Sequence, residues 1–365
     1  MAIRFEPLSN ANLEAAKAFN VRLKQSGRVP FLLRESLPSS NLEEGVIHAR
    51  NYLAMEGDVA RGGYMTVDYP SLLNGESLTV TNVQSPLSES IFDNRYAMAP
   101  IQMVKQFLRH NPLCFVVGMG QQSNPLPRLL RASGWSVEPV PFFFRIHRPV
   151  RFLTGMPVLR SRWYKRVAAS MAAYSGGGAV AAKLFQRSRV PLTREFSARR
   201  EENRGDWAAE VWAEFSASTR FAVRRELSVL RELYSATPRL RIHRVLRGEV
   251  TIGWSASFLT QMQNNSYFGN LLVGTILDCV ARPDSLSHVA ALADRAIAQE
   301  GADMVITNQS LSSWREAFSN AGFRSGPSIF QAALSPALTR VLSKKPVGDG
   351  IVHITRGDGD GRLHV

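Results

Sequence analysis

Two similar stretches, "RASGWSVEPVPFF" (131–143) and "SNAGFRSGPSIFQ" (319–331), lie 188 positions apart in this chain of 365 residues. Each stretch ends a short helical pattern at a glycine, which an aromatic residue follows, and then passes through a proline into bulky apolar residues. The two halves align at this offset without a gap from Asn94 and Arg282 to Phe142 and Phe330. The matching pairs include Val117/Val305, Gln121/Gln309, Gly134/Gly322, Trp135/Phe323 and Pro139/Pro327.

The predicted elements around these stretches recur in the same order. Helical spacing of apolar residues predicts helices over 98–110 and 286–300, and a further helix over 219–235. Alternating residues on either side of a Gly-containing turn predict hairpins at 56–58 and 247–249. We therefore predict an internal duplication of an α/β unit of roughly 140–150 residues. The predicted divisions are 1–150, a basic helical connector 151–195, a second unit 196–338 and a tail 339–365.

The composition is that of a well-packed globular protein, with 45% hydrophobic and 20% charged residues. Cys114 and Cys279 both lie within apolar runs, so we expect buried free thiols and a reducing, cytoplasmic compartment. No uninterrupted apolar run reaches the length of about 18 residues that a membrane span needs. The histidines lack the spacing of zinc ligands, so no metal site is predicted, and no serine nucleophile elbow, Walker loop or dinucleotide fingerprint occurs.

The formal net charge is +14, and much of the excess lies in one segment without acidic residues between Glu138 and Glu195. Its eleven basic residues are Arg145, Arg148, Arg151, Arg160, Arg162, Lys165, Arg166, Lys183, Arg187, Arg189 and Arg194. Interleaved aromatic residues favour a peripheral contact of 145–189 with an anionic membrane surface, on the inner face of the plasma membrane. The alternative is a bridge between the units with solvated arginines. No RNA-binding or helix-turn-helix signature accompanies the charge, so nucleic acid is not the expected partner.

The order strand, helix, hairpin, strand, helix, strand, helix, strand, closed by the Gly-aromatic pair, resembles the GCN5-related N-acetyltransferase fold. The second copy carries the resemblance best, in "AFSNAGFRSGPSIFQAAL" (317–334). The resemblance implies an α/β protein of two tandem acyltransferase-like units, each a mixed, mostly antiparallel sheet flanked by helices. It also implies acetyl-CoA or another acyl-CoA as the donor.

In that family, a turn of the form Q/R-x-x-G-x-G/A binds the pyrophosphate of coenzyme A with backbone N–H groups at a helix N-terminus. The resemblance therefore assigns donor binding to Arg282, Asp284, Ser285 and Ser287 in the second copy and to Asn94, Arg95 and Ala97 in the first. Both turns have small residues but no glycine. The alternative is a retained turn that no longer binds the cofactor.

Members of the family commonly carry a tyrosine four residues before the Gly-aromatic pair, as proton donor to the departing thiolate. Leu130 and Phe318 occupy those positions here, so acyl transfer would need another acid or an unassisted thiolate. Asp278 and Glu89 are the candidate general bases, and burial is expected to raise the pKa of Asp278. The alternative for each is a surface or capped carboxylate.

Asn308, Gln309 and Ser310 end a predicted buried strand and are candidate substrate-binding residues; alternatively they cap the next helix. In "RGDGDGR" (356–362), alternating carboxylates could hold a hard cation, although such a stretch is more often a flexible turn or tail.

The preferred hypothesis is an N-acyltransferase that moves an acyl group to the amino group of a small acceptor, such as an amino sugar in polysaccharide assembly. One alternative is a Fem-type transferase, which takes aminoacyl-tRNA. The other is a non-catalytic scaffold or sensor that has kept the fold.

Overall fold

The computed structural model describes residues 3–27, 32–35, 46–157, 186–201, 205–234, 239–343 and 352–359. The strands within these ranges are β1 (Arg4–Pro7), β2 (His48–Glu56), β3 (Val59–Leu73), β4 (Glu76–Ser88), β5 (Cys114–Val117), β6 (Ser136–Pro139), β7 (Phe142–Ile146), β8 (Phe196–Glu201), β9 (Phe221–Val223), β10 (Arg241–Arg247), β11 (Val250–Gln261), β12 (Leu272–Ala281), β13 (Met304–Asn308), β14 (Arg324–Gly326), β15 (Gln331–Leu334) and β16 (Val352–His353). The helices are α1 (Leu13–Ser26), α2 (Ala99–His110), α3 (Pro125–Ala132), α4 (Pro149–Gly155), α5 (Trp207–Ser216), α6 (Leu227–Leu233), α7 (Leu286–Gln299), α8 (Ser312–Asn320) and α9 (Pro336–Ser343).

In the described ranges these strands build two mixed sheets. The first has the order β1-β2-β3-β4-β5-β15-β6, with β9 paired to β3 and β16 to β9. The second has the order β8-β10-β11-β12-β13-β7-β14. The pairs β4–β5 and β12–β13 are parallel and occupy the same place in each sheet. The equivalent orders confirm the predicted duplication and the predicted α/β fold class.

The two copies exchange their last strands. β7 of the first copy lies between β13 and β14 of the second, and β15 of the second copy lies between β5 and β6 of the first. The connections that carry these strands across bond to each other, because Val140 N donates to Phe330 O at 2.9 Å and Ser328 Oγ donates to Val140 O. Neither sheet is therefore complete without a strand from the other half.

The prediction of one helix over 219–235 is wrong at its start. Phe221–Val223 forms β9, which pairs antiparallel with the end of β3 and parallel with β16, and α6 begins only at Leu227. Phe221, Ala222 and Val223 are all buried. The exposed backbone edge of β3 competes for these residues, and their burial between two strands outweighs the local helical spacing. Residue 235 lies outside the described residues.

One large hydrophobic core joins the two halves. It contains Phe115 and Val117 from the first sheet, Trp254 and Val280 from the second, and the buried face of the helix α5. α7 approaches its sheet closely at Gly253, where an added Cβ would lie 2.4 Å from a methyl group of Val289. The predicted boundaries at residues 150 and 196 stay a prediction, since 158–185 of the connector lie outside the described residues.

Candidate functional site

Both sheets open at the same place, where a parallel strand pair separates. In the first copy β4 and β5 pair only at Thr81–Cys114 and Asn82–Phe115, and β4 then continues to Ser88. In the second copy β12 and β13 pair from Val273–Met304 to Ile276–Thr307, and β12 continues to Ala281. Each opening leaves a strand edge whose backbone groups a ligand can use.

A β-bulge accompanies each opening. In the first copy the β3–β4 register shifts between Gly63–Leu87 and Met65–Gln84, and Ser85 has the left-handed angle φ 48°. In the second copy the β11–β12 register shifts between Ala256–Asp278 and Ser257–Ile276. Bulges of this kind redirect side chains and interrupt the ladder, which is why they are frequent beside active sites.

The predicted donor turn of the first copy is exposed. Asn94, Arg95 and Ala97 all lie at the surface, just before α2 begins at Ala99. A carboxylate of Asp93 caps the turn, accepting from Arg95 N at 3.0 Å and from the Arg95 guanidinium at 2.7 Å. The turn therefore offers the N-terminus of α2 and the exposed guanidinium of Arg95, whose charge Asp93 partly neutralises.

The predicted donor turn of the second copy is held by protein contacts. Arg282 ion-pairs with Glu214 of α5 and donates from Nε to Thr251 O at 2.9 Å. Ser285 is buried and donates to Asp284 Oδ1 at 2.9 Å, and Ser287 lies in the first turn of α7. Arg282 is thus engaged with α5 and β11 in this structure.

Glu89, a candidate base, lies directly after β4 and is buried. Its Oε1 accepts from Arg22 Nε at 2.7 Å, and its Oε2 accepts from Arg61 Nη1 at 2.9 Å. Arg61 also bonds to Glu56, which accepts from the Tyr96 hydroxyl. This network joins α1 to β3 and to the turn before α2, so each oxygen of Glu89 already has a cationic partner.

Asp278, the other candidate base, belongs to a buried ionic cluster. Arg225 Nε donates to Asp278 Oδ2 at 2.5 Å and Arg225 Nη2 donates to Asp358 Oδ1 at 2.6 Å, with all three side chains buried. The Tyr234 hydroxyl donates to the same Oδ2 at 2.9 Å, and His353 Nε2 lies 3.6 Å from Oδ1. The cluster ties β12 to the segment before α6 and to the C-terminal segment.

The prediction that the pKa of Asp278 is raised is wrong. Burial by itself acts in that direction, but the charge of the adjacent Arg225 and the contacts with His353 outweigh it and hold the pKa below its usual value. A carboxylate stabilised in this way is a weak proton acceptor.

The predicted substrate-binding residues 308–310 contact the C-terminal segment. Asn308 Oδ1 accepts from Arg356 Nη1 at 3.2 Å, and Ser310 N donates to Ile354 O at 3.1 Å. Gln309 is buried and forms an isolated β-bridge with Thr355. A strand-like segment of the chain itself therefore occupies the end of β13.

The C-terminal segment reaches both openings. Asn82, at the last β4–β5 pair, donates from Nδ2 to Asp358 O at 2.5 Å. Gly357 lies against Asp278 of β12, and Gly359 lies against Val117 of β5. Residues 356–358 form a short turn, which the ionic cluster and the contacts with both sheets hold in place. Residues 360–362 lie outside the described residues.

A small cavity of about 130 Å³ lies in the first copy beside the β4 bulge. Ser85, Met65, Tyr64 and Tyr52 line it together with apolar residues such as Leu33. Tyr64 is buried, and within the described residues its hydroxyl has no hydrogen-bond partner. Burial raises the pKa of Tyr64, so the hydroxyl keeps its proton and can donate a hydrogen bond.

Sequence reasoning missed Arg225, His353 and Tyr64, and it gave Asp358 only as one carboxylate of "RGDGDGR" (356–362). Arg225, His353 and Asp358 are distant in sequence from Asp278 and come together with it only in the tertiary structure, so no local pattern indicates the cluster. In the sequence, Tyr64 is one apolar position of the strand predicted after the hairpin turn at 56–58, and nothing in that pattern distinguishes it from its neighbours. The tyrosine-equivalent positions Leu130 and Phe318 are both completely buried.

The basic segment is partly neutralised where it begins, at residues 145–151. Arg145 Nη1 donates to Asp294 Oδ2 at 2.8 Å, and His147 Nε2 lies 2.8 Å from Oδ1 of the same carboxylate. Arg148 and Arg151 each lie 3.6 Å from Asp303. These contacts attach the start of the connector to the second copy.

Three further features concern membranes, metals and thiols. Among the described helices, none has the length and apolar character needed to span a bilayer. In the same ranges, no group of three or more His, Cys, Asp or Glu side chains is arranged to hold a metal ion. Cys114 and Cys279 are free and buried, as predicted, and burial raises the pKa of both thiols.

No protein-family model and no curated protein sequence matches the chain. Several solved structures are similar in fold over nearly its whole length. The GCN5-related N-acetyltransferase from Anabaena variabilis is 11% identical with a TM-score of 0.50, covering 91% of this chain and 72% of that one. A conserved protein from Enterococcus faecalis is 12% identical with a TM-score of 0.50, covering 95% of this chain and 76% of that one.

N-myristoyltransferase from Saccharomyces cerevisiae with bound myristoyl-CoA is 10% identical with a TM-score of 0.51, covering 91% of this chain and 82% of that one. At these identities the likeness establishes the fold and not the activity. The equivalent strand orders of the two sheets agree with it. The chain therefore has the fold of the GCN5-related N-acetyltransferases, present as two tandem copies.

Proposed function

We propose that this protein is an N-acyltransferase that moves an acyl group from coenzyme A to an amino group. The observation that carries the proposal is the opening between β4 and β5 in the first copy, with its bulge at Ser85 and the adjoining cavity. The C-terminal segment contacts the first opening at Asn82 and Val117, and β4 continues beyond Asn82 to Ser88. That continuing edge of β4 can pair with an extended ligand that carries amide groups, as the pantetheine arm of coenzyme A does. The similar N-myristoyltransferase structure holds an acyl-CoA, which supports this class of donor.

We assign donor binding to the first copy. Its turn at 94–97 is exposed, whereas Ser285 is buried and Arg282 is paired with Glu214 in the second. In the second copy Arg225 and Gly357 also lie against Asp278, on the part of β12 beyond its last pair with β13. In the first copy, the turn at 94–97 suits a phosphate group of the donor, the edge of β4 suits its pantetheine arm, and the cavity suits its acyl group.

The proposed reaction needs an uncharged amine. Its nitrogen attacks the thioester carbonyl, the carbon–sulfur bond breaks, and the amine proton is balanced by protonation of the departing thiolate, so that an amide and free coenzyme A result. Among the described residues that line the cavity, none is a carboxylate. We propose that the Tyr64 hydroxyl hydrogen-bonds to the negative charge that develops on the departing thiolate. It would take the place of the tyrosine that the family commonly carries and this chain lacks.

A matched pair of variants tests both the activity and the copy. Ala97→Glu and Ser287→Glu each add one carboxylate near the start of a helix, where it repels phosphate but does not weaken the helix. Calorimetric titration with acetyl-CoA and longer acyl-CoAs should show micromolar binding that Ala97→Glu weakens by about tenfold or more and Ser287→Glu leaves unchanged.

Weaker binding in Ser287→Glu with unchanged binding in Ala97→Glu would place the donor site in the second copy. Absence of binding at millimolar acyl-CoA would refute the proposal and make aminoacyl-tRNA the next donor to test. Where binding is found, release of the coenzyme A thiol is followed with a panel of small amines that includes amino sugars. Tyr64→Phe should then lower kcat by about tenfold or more with little change in donor affinity.

A further inference from the structure

A polar cleft of about 580 Å³ lies in the second copy, between the end of the connector, the last turn of α8 and the start of β14. Three arginines line it: Arg187 and Arg189 from the end of the connector, and Arg324 from β14. Arg187 and Arg189 are exposed, and neither side chain forms an ion pair with any described residue. Among the described residues that line the cleft, none is acidic.

The walls of the cleft are fixed by backbone contacts. Arg189 N donates to Asn320 O at 2.8 Å, and Val190 N donates to Ser188 Oγ at 3.2 Å. The connector passes so close to Gly322 that an added Cβ there would lie 2.5 Å from Gln186 O, and Gly322 has φ 92°. The two connector arginines therefore project from a backbone that is packed onto the second copy.

The lining offers donors to an anion. Asn320 adds its side-chain amide to the three guanidinium groups, whereas the hydroxyls of Ser188 and Ser319 donate to Asn320 O and Arg315 O. Guanidinium groups bind phosphate oxygens through paired, charge-assisted hydrogen bonds, and several around one cleft create a local positive potential. The volume lies in the ordinary range for small-molecule sites.

The cleft is distinct from the predicted donor turn of the same copy. Arg145 donates both to Asp294 of α7 and to Ala321 O, which is next to Gly322 in the wall. Asp294 lies eight residues after Leu286, which at 1.5 Å per residue is about 12 Å along α7 from the turn at 282–287. The donor turn lies at the start of α7, and the cleft lies beside its later turns.

We propose that this cleft is a second binding site, for a ligand that carries a phosphate or diphosphate group. The phosphate lies between Arg187, Arg189 and Arg324, and the side-chain amide of Asn320 donates a further hydrogen bond to it. The group can belong to a free phosphorylated molecule or to the headgroup of an anionic lipid, because both present the same oxygens to the arginines.

The test is a titration of the full chain with inorganic pyrophosphate, compared with the double variant Arg187→Ala/Arg189→Ala. Arg199→Ala/Arg200→Ala is the matched control, because it removes two exposed arginines from β8 of the same copy. We expect binding that weakens with added salt, falls by about tenfold or more in the first variant and stays within about twofold in the control. Equal binding in all three proteins, or none at millimolar pyrophosphate, would overturn the site.

Two further measurements identify the source of the phosphate and distinguish this site from the donor site. In the first, the same proteins are sedimented with phosphatidylcholine vesicles that contain or lack phosphatidic acid. Adsorption that needs both phosphatidic acid and the two arginines indicates a lipid headgroup. Pyrophosphate binding without adsorption to vesicles indicates a free ligand. Acyl-CoA binding should be unchanged in Arg187→Ala/Arg189→Ala. Its loss would place the donor's own phosphates in the cleft and refute a second site.

Discussion

The guanidinium of Arg225 lies 2.5 Å from the carboxylate of Asp278, and both side chains are buried away from solvent. The same guanidinium contacts Asp358, so one cation joins a strand of the second copy to the C-terminal segment. Burial alone would lower the pKa of Arg225, but the two carboxylates outweigh it and raise the pKa. The arginine stays charged, and each of its partners depends on it.

Arg225→Ala should lower the free energy of unfolding by about 3–5 kcal/mol, because it leaves two buried carboxylates without their cation. Urea denaturation measures the change. The neighbouring Arg224 pairs with Glu226 where both are about one-third exposed, so Arg224→Ala should cost about 1 kcal/mol or less. Equal losses in the two variants would mean that the buried cluster has no special role.

Asp358→Ala should cost less than Arg225→Ala, since Asp278 would still balance the arginine. In the double variant Arg225→Ala/Asp358→Ala the two losses should not add, because both remove the same contact. A double-mutant cycle from urea midpoints gives the coupling energy. Full additivity would show that the C-terminal segment is held by its backbone contacts alone.

Stability should fall in acid through Asp278. Its folded pKa lies below the unfolded value of about 3.9, so its contribution is complete above that pH and is lost as the pH falls further toward the folded pKa. Urea midpoints measured between pH 6 and pH 3 should decrease for the natural chain and decrease less for Asp278→Asn. A smaller slope should remain in the variant, because the pKa of Asp68 is also lowered.

Neither half should fold alone. A chain that ends at residue 157 would lack β15 between β5 and β6, and one that begins at 186 would lack β7 between β13 and β14. Each would expose unpaired strand edges inside its sheet. Circular dichroism and size exclusion should show folded protein only when the halves are produced together. Two separately folded halves would contradict the exchange.

Tyr64→Phe should leave stability unchanged or raise it by up to about 1 kcal/mol, because the buried hydroxyl has no partner in the described residues. Tyr234→Phe is the control, since it removes a hydrogen bond to Asp278 and should destabilise by about 1–2 kcal/mol. Thermal unfolding compares them. Activity lost from a protein that is at least as stable would assign Tyr64 a role in the reaction, whereas strong destabilisation by Tyr64→Phe would reveal a structural one.

The sequence alone was enough to predict the repeated unit, the hairpins, the helix over 286–300 and the acyltransferase-like fold. These features depend on the spacing of apolar residues within short segments and on the offset of 188 positions between the two halves. Both can be read from the sequence without knowledge of tertiary contacts. The buried thiols were also predictable, because each cysteine lies in an apolar run.

Only the tertiary structure decided where the last strands pair, what neutralises Asp278 and Glu89, and where the C-terminal segment lies. β7 and β15 have the same apolar pattern whichever sheet they join, so their exchange cannot be seen in sequence. Arg225 and Asp358 are 133 residues apart and acquire their role by meeting in a buried space. Local sequence determines which elements form, whereas the pKa of a carboxylate and the openings of a sheet depend on what the rest of the chain places beside them.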